Sequence, residues 1–194
     1  DYWSPLTLPD GQTVNSPGLW AKTSLPALTI RRPAPAIGQH NDEIRKQLQQ
    51  PVEQKHYPAT DGDQAIPFDG VTVADFSWVG VGPISAKYLA DHGARVMRIE
   101  SESRPDVLRA NVPFKNNEPG IDRSQFFGDF NTSKQSISLN MKSPQAIELA
   151  KQIIARADVM IESFAPGAIE RMGLTYDEVR QINPGLIMIS TCLM

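Results

Sequence analysis

Two glycines and one carboxylate in this sequence have the spacing of a nucleotide-binding turn. Gly80 and Gly82 follow a β-branched run and precede a predicted helix, and Glu100 lies twenty positions after Gly80. In NAD-binding domains such glycines let the backbone approach a pyrophosphate, and the acidic residue accepts hydrogen bonds from the ribose. The third position of this pattern is Ser85, and Pro83 lacks an amide proton that would face a phosphate. The sequence therefore favours a tight strand-to-helix turn over a dinucleotide site.

These residues belong to a segment in which short β-branched runs alternate with stretches of helical periodicity. The predicted strands are 71–76, 95–100, 135–139, 158–162 and 186–189. Predicted helices lie between them: one begins at Pro83, and two others are capped by Ser143 and by Thr175. Since this alternation is typical of a parallel sheet, we predict an α/β fold with a Rossmann-like, mostly parallel sheet and helices on both faces. Ligands bind such sheets beyond the carboxyl ends of the strands, so the loops there are expected to carry the function.

The composition indicates a globular protein and excludes several classes. Of 194 residues, 40% are hydrophobic and 21% are charged, with a net charge of -3. No clustered basic face points to nucleic acid, and the apolar runs are shorter than the ~20 residues of a membrane span. The single cysteine, Cys192, forms no internal disulfide and cannot supply a four-ligand zinc site. We therefore expect a cytoplasmic protein without a metal, a nucleic-acid partner or a membrane association.

The first third of the chain has a different character, an extended Pro-rich segment. Eight prolines lie within residues 1–66, which disfavours long helices and central strands. The exception is a short helix that Asn41 caps and that extends to Gln49. The chain starts with Asp1 and stops at Met194 directly after an apolar run, so we expect a piece of a longer polypeptide.

The later two-thirds of the chain contains distinctive motifs in a fixed order. The most specific is 157–167 (ADVMIESFAPG), followed by 171–174 (RMGL). The others are 68–83, 89–100, 131–137, 139–144 and 183–184. In order and spacing these segments resemble the N-terminal half of the class III CoA-transferase (CaiB/BaiF) family.

A second motif lies out of order, near the start. Residues 24–27 (SLPA) and 32–44 (RPAPAIGQHNDEI) are similar to the C-terminal end of the same family, where an Ala-Pro-x-x-Gly-x-His segment precedes a final helix. A segment similar to the C-terminal end of the family, followed by segments similar to its N-terminal half, implies two family units in tandem. Residues 1–50 would be the tail of a preceding unit, 51–66 a polar linker, and 67–194 the Rossmann-like part of a truncated second unit. A circularly permuted single unit is the less favoured alternative, because the central part of the family is missing.

The resemblance implies an acyl-CoA:carboxylate CoA-transferase, which moves CoA between carboxylic acids through an aspartyl intermediate. Coenzyme A is then the acyl carrier, and the partners are acyl-CoA and carboxylate substrates. The family's catalytic aspartate would fall beyond Met194, so no catalytic residue is assigned. Family members form interlocked dimers, and a tandem protein would form the equivalent pair within one chain.

The resemblance also assigns CoA contacts to loops at the ends of the strands. The matching positions are Gly80, Val81, Leu139, Asn140, Met141, Lys142, Ser163, Phe164, Ala165 and Arg171. Lys142 would act as a point charge on a phosphate, Phe164 would pack on the adenine, and Arg171 would bind phosphate bidentately. The plainer roles are turn geometry for the glycine, solvation for the lysine, core packing for the phenylalanine, and an ion pair of the arginine with Glu162 or Glu170.

Three departures from the family pattern concern the phosphate contacts. Ser101 stands where some members carry an arginine, Gln135 replaces a basic residue after Lys134, and Ser163 replaces a common asparagine. Trp78 occupies a variable position, where it would shape an acyl pocket or belong to the core.

Three other functions stay open at this point. They are an α-methylacyl-CoA racemase-like enzyme, a CoA-transferase/lyase acting on dimethylsulfoniopropionate, and a non-catalytic CoA-binding or dimerisation module.

Overall fold

The computed structural model describes residues 3–8, 10–17, 30–51 and 66–191. In chain order, the elements are β1 (Trp3–Thr7), β2 (Thr13–Pro17), α1 (Asn41–Leu48), β3 (Thr72–Phe76), α2 (Val81–Asp91), β4 (Arg95–Glu100), α3 (Gln125–Phe130), β5 (Gln135–Ser138), α4 (Pro144–Ile154), β6 (Val159–Glu162), α5 (Ala168–Arg171), α6 (Tyr176–Ile182) and β7 (Ile187–Ser190), with 3-10 helices at Val107–Ala110 and Lys115–Asn117. Among these residues, no helix has the length and apolar character that a membrane crossing requires.

A five-stranded parallel sheet is the framework of the later part of the chain. Its strand order is β5-β4-β3-β6-β7, and each neighbouring pair is parallel. All five residues of β3 are buried, as expected for a central strand covered on both faces. The chain adds β4 and β5 on one side of β3 and then β6 and β7 on the other. The order therefore reverses between β3 and β6, where open α/β sheets form a crevice.

Apolar side chains cover both faces of this sheet. On one face, Ile153 and Ile154 of α4 and Val179 of α6 pack with Met160 of β6. On the other face, Ala86 and Ala90 of α2 pack with Val73, Val96 and Ile161 of the strands. Together with the parallel strand pairing, these two layers confirm the predicted α/β fold.

The turn between β3 and α2 is tight because Gly82 packs directly on Ser77. A Cβ at Gly82 would lie 2.3 Å from the Ser77 Cβ, which is too close for two side-chain carbons. This contact lets α2 begin at Val81, two residues before the predicted start at Pro83.

Residues 30–51 pack against the edge strand β5 of the same chain. The amide of His40 donates to the Ser136 carbonyl (3.0 Å), and the Ser136 amide donates to His40 Nδ1 (3.1 Å). Ile44 of α1 is fully buried in the core cluster that includes Ile137 and Ile153. The described part of the tail-like segment therefore completes this sheet edge.

Two predicted capping roles differ in the structure. Asn41 is the first residue of α1 rather than its cap, and its Oδ1 accepts the Ser138 amide at 2.9 Å. Ser143 precedes α4 as predicted, but its hydroxyl is bonded to the Gln145 side chain rather than to the helix amides. Thr175 forms the predicted cap of α6, with a reciprocal capping box through Glu178. In the first two cases the side chain bonds to another group, the Ser138 amide for Asn41 and the Gln145 side chain for Ser143, instead of to an amide of the helix.

The Pro-rich region begins with a short antiparallel hairpin of β1 and β2. It is joined to the rest by the ion pair of Asp10 with Lys115. Most of the predicted linker (52–65) lies outside the described residues, as do residues 24–27 and Cys192.

Candidate functional site

A buried network of charges lies beneath the carboxyl ends of β3 and β4. Its carboxylates are Asp75, Glu100 and Asp106, and its cations are Arg98, Arg109 and Lys134. Lys134 Nζ lies 2.8 Å from Asp75 Oδ2, and Arg98 Nη1 lies 3.6 Å from the same oxygen. Arg109 holds Glu100 through two bonds, from Nε at 2.7 Å and from Nη2 at 3.1 Å. Three positive and three negative groups thus neutralise one another inside the protein.

The network shifts the pKa values of Asp75, Glu100 and Lys134. Burial acts to raise the pKa of Asp75, but Lys134 and Arg98 outweigh it and the pKa is lowered. Burial also acts to raise the pKa of Glu100. The Arg109 hydrogen bond and the Arg98 charge outweigh burial, so the pKa of Glu100 is lowered. For Lys134, burial dominates over the attraction of Asp75 and lowers the pKa to about 8. Asp75 and Glu100 are therefore ionised at neutral pH, because the buried cations stabilise their charged form.

The network also fixes the two loops that follow β3 and β4. Arg98 Nη1 donates to the Ser77 carbonyl at 3.1 Å. Asp106 Oδ2 accepts the Val79 amide at 3.2 Å, and the Asp106 amide donates to Glu100 Oε1 at 3.1 Å. Both loops are therefore held by charged groups that solvent does not reach.

Above these loops lies a cavity of about 640 Å³ at the carboxyl ends of β3, β4, β5 and β6. Its lining residues are Phe76, Trp78, Ile99, Glu100, Ser101, Ser103, Arg104, Leu139, Asn140, Met141, Lys142, Ile147, Phe164, Ala168, Arg171 and Met172. This volume falls within the ~300–1,000 Å³ typical of small-molecule sites. The mixture of apolar walls and polar rim suits a ligand with both an aromatic and an anionic part.

The cations around this cavity have no ion-pair partner within the part of the chain that the structure describes. Arg104, Lys142 and Arg171 all line it, and none forms a salt bridge with a described residue. The one carboxylate in the lining, Glu100, is 2% exposed and engaged by Arg98 and Arg109. The cavity therefore carries uncompensated positive charge and is chemically suited to a polyanion.

Six of the ten predicted site residues line this cavity. They are Leu139, Asn140, Met141, Lys142, Phe164 and Arg171. The ion pair of Arg171 with Glu162 or Glu170, the plainer alternative, is not formed. Instead its guanidinium folds back over Gly167, where an added Cβ would lie 3.1 Å from Nη1.

The other four predicted residues, Gly80, Val81, Ser163 and Ala165, do not line the cavity. Gly80 flanks the start of α2 with open space on its Cβ side, and Val81 is exposed. Ser163 Oγ is bonded to the Trp78 amide and carbonyl, so it connects the loops after β6 and β3. Ala165 accepts the Ala168 amide at the turn into α5. Their proposed contacts with CoA stay predictions.

Two of the lining residues that were not assigned to the site from the sequence contact each other. Arg104 follows β4 in a loop without a recognisable motif, and Trp78 was left between an acyl pocket and the core. The structure stacks them, with the Arg104 guanidinium carbon 5.3 Å from the Trp78 ring centroid. The sequence offered one cue, a basic residue shortly after a predicted strand end.

The geometry also bears on the dinucleotide pattern. An acidic ribose acceptor needs an available carboxylate at the end of the second strand. Glu100 occupies that position, but its oxygens accept from Arg98, Arg109 and the Asp106 amide. The sequence-based preference against an NAD site is therefore supported.

The fold and the site define a Rossmann-like α/β protein with a cationic cavity at the carboxyl edge of its sheet. A family model described as CoA-transferase family III matches residues 68–192. The chain therefore belongs to CoA-transferase family III, and the resemblance seen in the sequence is confirmed.

Individual relatives agree with this assignment. The chain is 40% identical over 121 residues to the formyl-CoA:oxalate CoA-transferase of Escherichia coli O6:H1, covering 62% of this chain and 28% of that protein. It is 34% identical over 134 residues to the succinyl-CoA:glutarate CoA-transferase of Mus musculus, covering 69% and 30%. A crystal structure of a CaiB/BaiF family protein from Brucella suis superposes with a TM-score of 0.59 and 32% identity, covering 66% of this chain and 33% of that one. The chain thus spans less than a third of the length of these curated relatives.

Proposed function

We propose that this chain supplies the CoA-binding part of an acyl-CoA:carboxylate CoA-transferase. The observation that carries the proposal is the cavity with three cations that lack ion-pair partners among the described residues. CoA carries phosphate groups next to an adenine, so it matches a cavity with cations and apolar walls. Membership of CoA-transferase family III supports the same ligand.

The lining residues divide naturally between the parts of CoA. Arg171 is suited to a phosphate because a guanidinium donates two parallel hydrogen bonds to an oxyanion. Lys142 adds a point charge beside it. The rings and chains of Phe164, Leu139 and Met141 offer apolar surface for the adenine.

The reaction proposed for the whole protein is covalent catalysis by a carboxylate. An aspartate attacks the thioester carbonyl, CoA leaves as the thiolate, and a mixed anhydride forms. The thiolate then attacks the aspartyl carbonyl, which releases the first carboxylic acid and leaves an aspartyl-CoA thioester. The acceptor carboxylate reverses these two steps and departs as the new acyl-CoA. Glu100 cannot serve as the nucleophile, because it is buried and bonded to two arginines.

A non-catalytic CoA-binding module is the second candidate. It is favoured by one observation, that no carboxylate other than Glu100 lines the described cavity. Racemase and lyase chemistry stay open on the same ground. The tandem arrangement, the interlocked or intramolecular dimer, the cytoplasmic location and the absence of a metal stay predictions.

The test is calorimetric titration of the 194-residue chain with CoA, comparing the wild type with Arg171→Ala. A hydrogen bond to a charged group contributes ~1.5–3 kcal/mol. Arg171 is exposed, so we expect the lower end, a loss of about tenfold in affinity. NAD should not bind. Undetectable CoA binding by the wild type would contradict the proposal, and tight NAD binding would revive the dinucleotide interpretation.

A further inference from the structure

Three residues from three loops form a continuous set of contacts beside the cavity, and two of them, Trp78 and Arg104, line it. The Trp78 amide donates to Ser163 Oγ, and this hydroxyl donates to the Trp78 carbonyl at 3.2 Å. The loop after β6 thereby holds the backbone of the loop after β3. The Trp78 ring in turn lies against the Arg104 guanidinium from the loop after β4.

The charge of Arg104 is held in place without being neutralised. The nearby Arg98 and Arg109 are buried and engaged by carboxylates. Arg104 is exposed, lines the cavity, and forms no salt bridge with a described residue. An aromatic ring attracts a guanidinium through its π face, which leaves the N–H groups at the guanidinium edge available to an oxyanion. Stacking on Trp78 therefore orients a cation that keeps its capacity to bind an anion.

The position of Arg104 is also restrained through its backbone. Its amide donates to the Ser101 carbonyl at 3.1 Å in a tight turn directly after β4. Asp106, two residues later, is fixed by Arg98 and by its own bond to Glu100. The loop that carries Arg104 is thus anchored on the buried charge network, so the guanidinium is preorganised at the rim.

We propose that Arg104 binds a phosphate group of CoA, and that Trp78 and Ser163 are positioning residues for its guanidinium. This inference rests on the proposed CoA-binding function. It adds a phosphate-binding residue that no sequence motif indicates. The loop after β4 contributes Ser101, Ser103 and Arg104 to the cavity lining, and Arg104 is the cation among these three. The three lining cations then come from three different segments of the chain: Arg104 from the loop after β4, Lys142 from the loop after β5, and Arg171 from α5, which follows β6.

The first experiment compares CoA affinity of the 194-residue chain before and after Arg104→Ala, by calorimetry. We expect a loss of about tenfold, because one charge-assisted hydrogen bond to phosphate is removed. The matched control is Arg180→Ala, since Arg180 is also exposed and stacks on a ring (Tyr176, 5.7 Å) but lies outside the cavity. The control should bind CoA like the wild type.

Titration with dephospho-CoA identifies the phosphate. If Arg104 binds the 3′-phosphate, the Arg104→Ala effect disappears with this ligand; if it binds the diphosphate, the tenfold effect remains. An unchanged CoA affinity of Arg104→Ala, with a wild type that binds CoA, would overturn the inference and leave the proposed function intact. Failure of the wild type to bind CoA would overturn the proposed function itself.

A double-mutant cycle tests the positioning role of Trp78. We expect Trp78→Leu to weaken CoA binding, and the Trp78→Leu/Arg104→Ala double variant to bind no more weakly than Arg104→Ala alone. A purely structural tryptophan would instead give additive losses, and that outcome would overturn the positioning role. The variant Trp78→Phe keeps an aromatic face and should therefore retain most of the CoA affinity that Trp78→Leu loses. Circular dichroism of each variant checks that the fold is retained.

Discussion

Substitution of Ile44 by alanine tests whether α1 is part of the same cooperative unit as the sheet. Ile44 is fully buried and packs in the core cluster with residues of β5 and α4. The change removes three carbon atoms, at ~0.8 kcal/mol for each buried methylene, and leaves a cavity. We therefore expect a loss of about 3 kcal/mol in the free energy of unfolding.

The contacts on either side of Ile44 make this value informative. The Ser136 and Ser138 amides of β5 donate to His40 and Asn41, and Arg156 Nη2 donates to the Leu48 carbonyl at 3.0 Å. If residues 30–51 unfold together with the sheet, urea denaturation followed by circular dichroism will show one transition. The midpoint will fall while the m-value stays constant, because the surface exposed on unfolding does not change.

The matched control is Arg45→Ala, at the next position of the same helix. Arg45 is exposed, and its contact with Asp42 is 3.9 Å long. We expect a change within about 0.5 kcal/mol, as for other exposed sites. An Ile44→Ala variant no less stable than the control would refute the packing argument. A separate early transition would show that α1 is docked loosely and unfolds alone.

Two further predictions concern the buried charge network. Asp75→Asn should lower the free energy of unfolding by about 3 kcal/mol, because Lys134 and Arg98 would then face each other without their shared carboxylate. Denaturant unfolding measures this loss, and a loss below about 1 kcal/mol would contradict the prediction. Burial lowers the pKa of Lys134 to about 8 from its ordinary 10.5, so between these values the unfolded chain binds more protons than the folded one. The free energy of unfolding should therefore rise from pH 8 to pH 10.5, by about 3 kcal/mol at most, and this rise should be absent in Lys134→Met.

The sheet could be predicted from the sequence because its inner strands β3, β4 and β6 are largely buried and carry β-branched and apolar residues. The observed β4 coincides with the predicted 95–100, although three of its six residues (RVMRIE) are charged. The Thr175 capping box is equally local, since both partners lie within one turn. The role of Asn41 was not predictable in this way. Its side chain bonds to Ser138 of β5, a residue far away in the sequence, and no local rule contains that contact.

The site follows the same division between local and distant contacts. Lys142, Phe164 and Arg171 were predicted from the family resemblance and from the expectation that ligands bind at the carboxyl ends of parallel strands. They line one cavity because the segments after these strands meet at one edge of the sheet. Arg104 was missed because what orients it is the Trp78 ring, and the two residues belong to different loops. Ser163 was placed at the ligand but bonds to the Trp78 backbone, which no pattern of residue types indicates.

The contrast between two layers of charge supports the assignment of this edge to an anionic ligand. Below the loops, three carboxylates neutralise three cations, so removing either partner leaves a buried charge unpaired. Above them, three cations surround one cavity without a carboxylate partner among the described residues. Cations grouped around a cavity repel one another, and this cost is offset when an anion binds between them. The buried layer fixes the loops after β3 and β4, the second of which carries Arg104, so less of the binding energy of a phosphate is spent on ordering that part of the site.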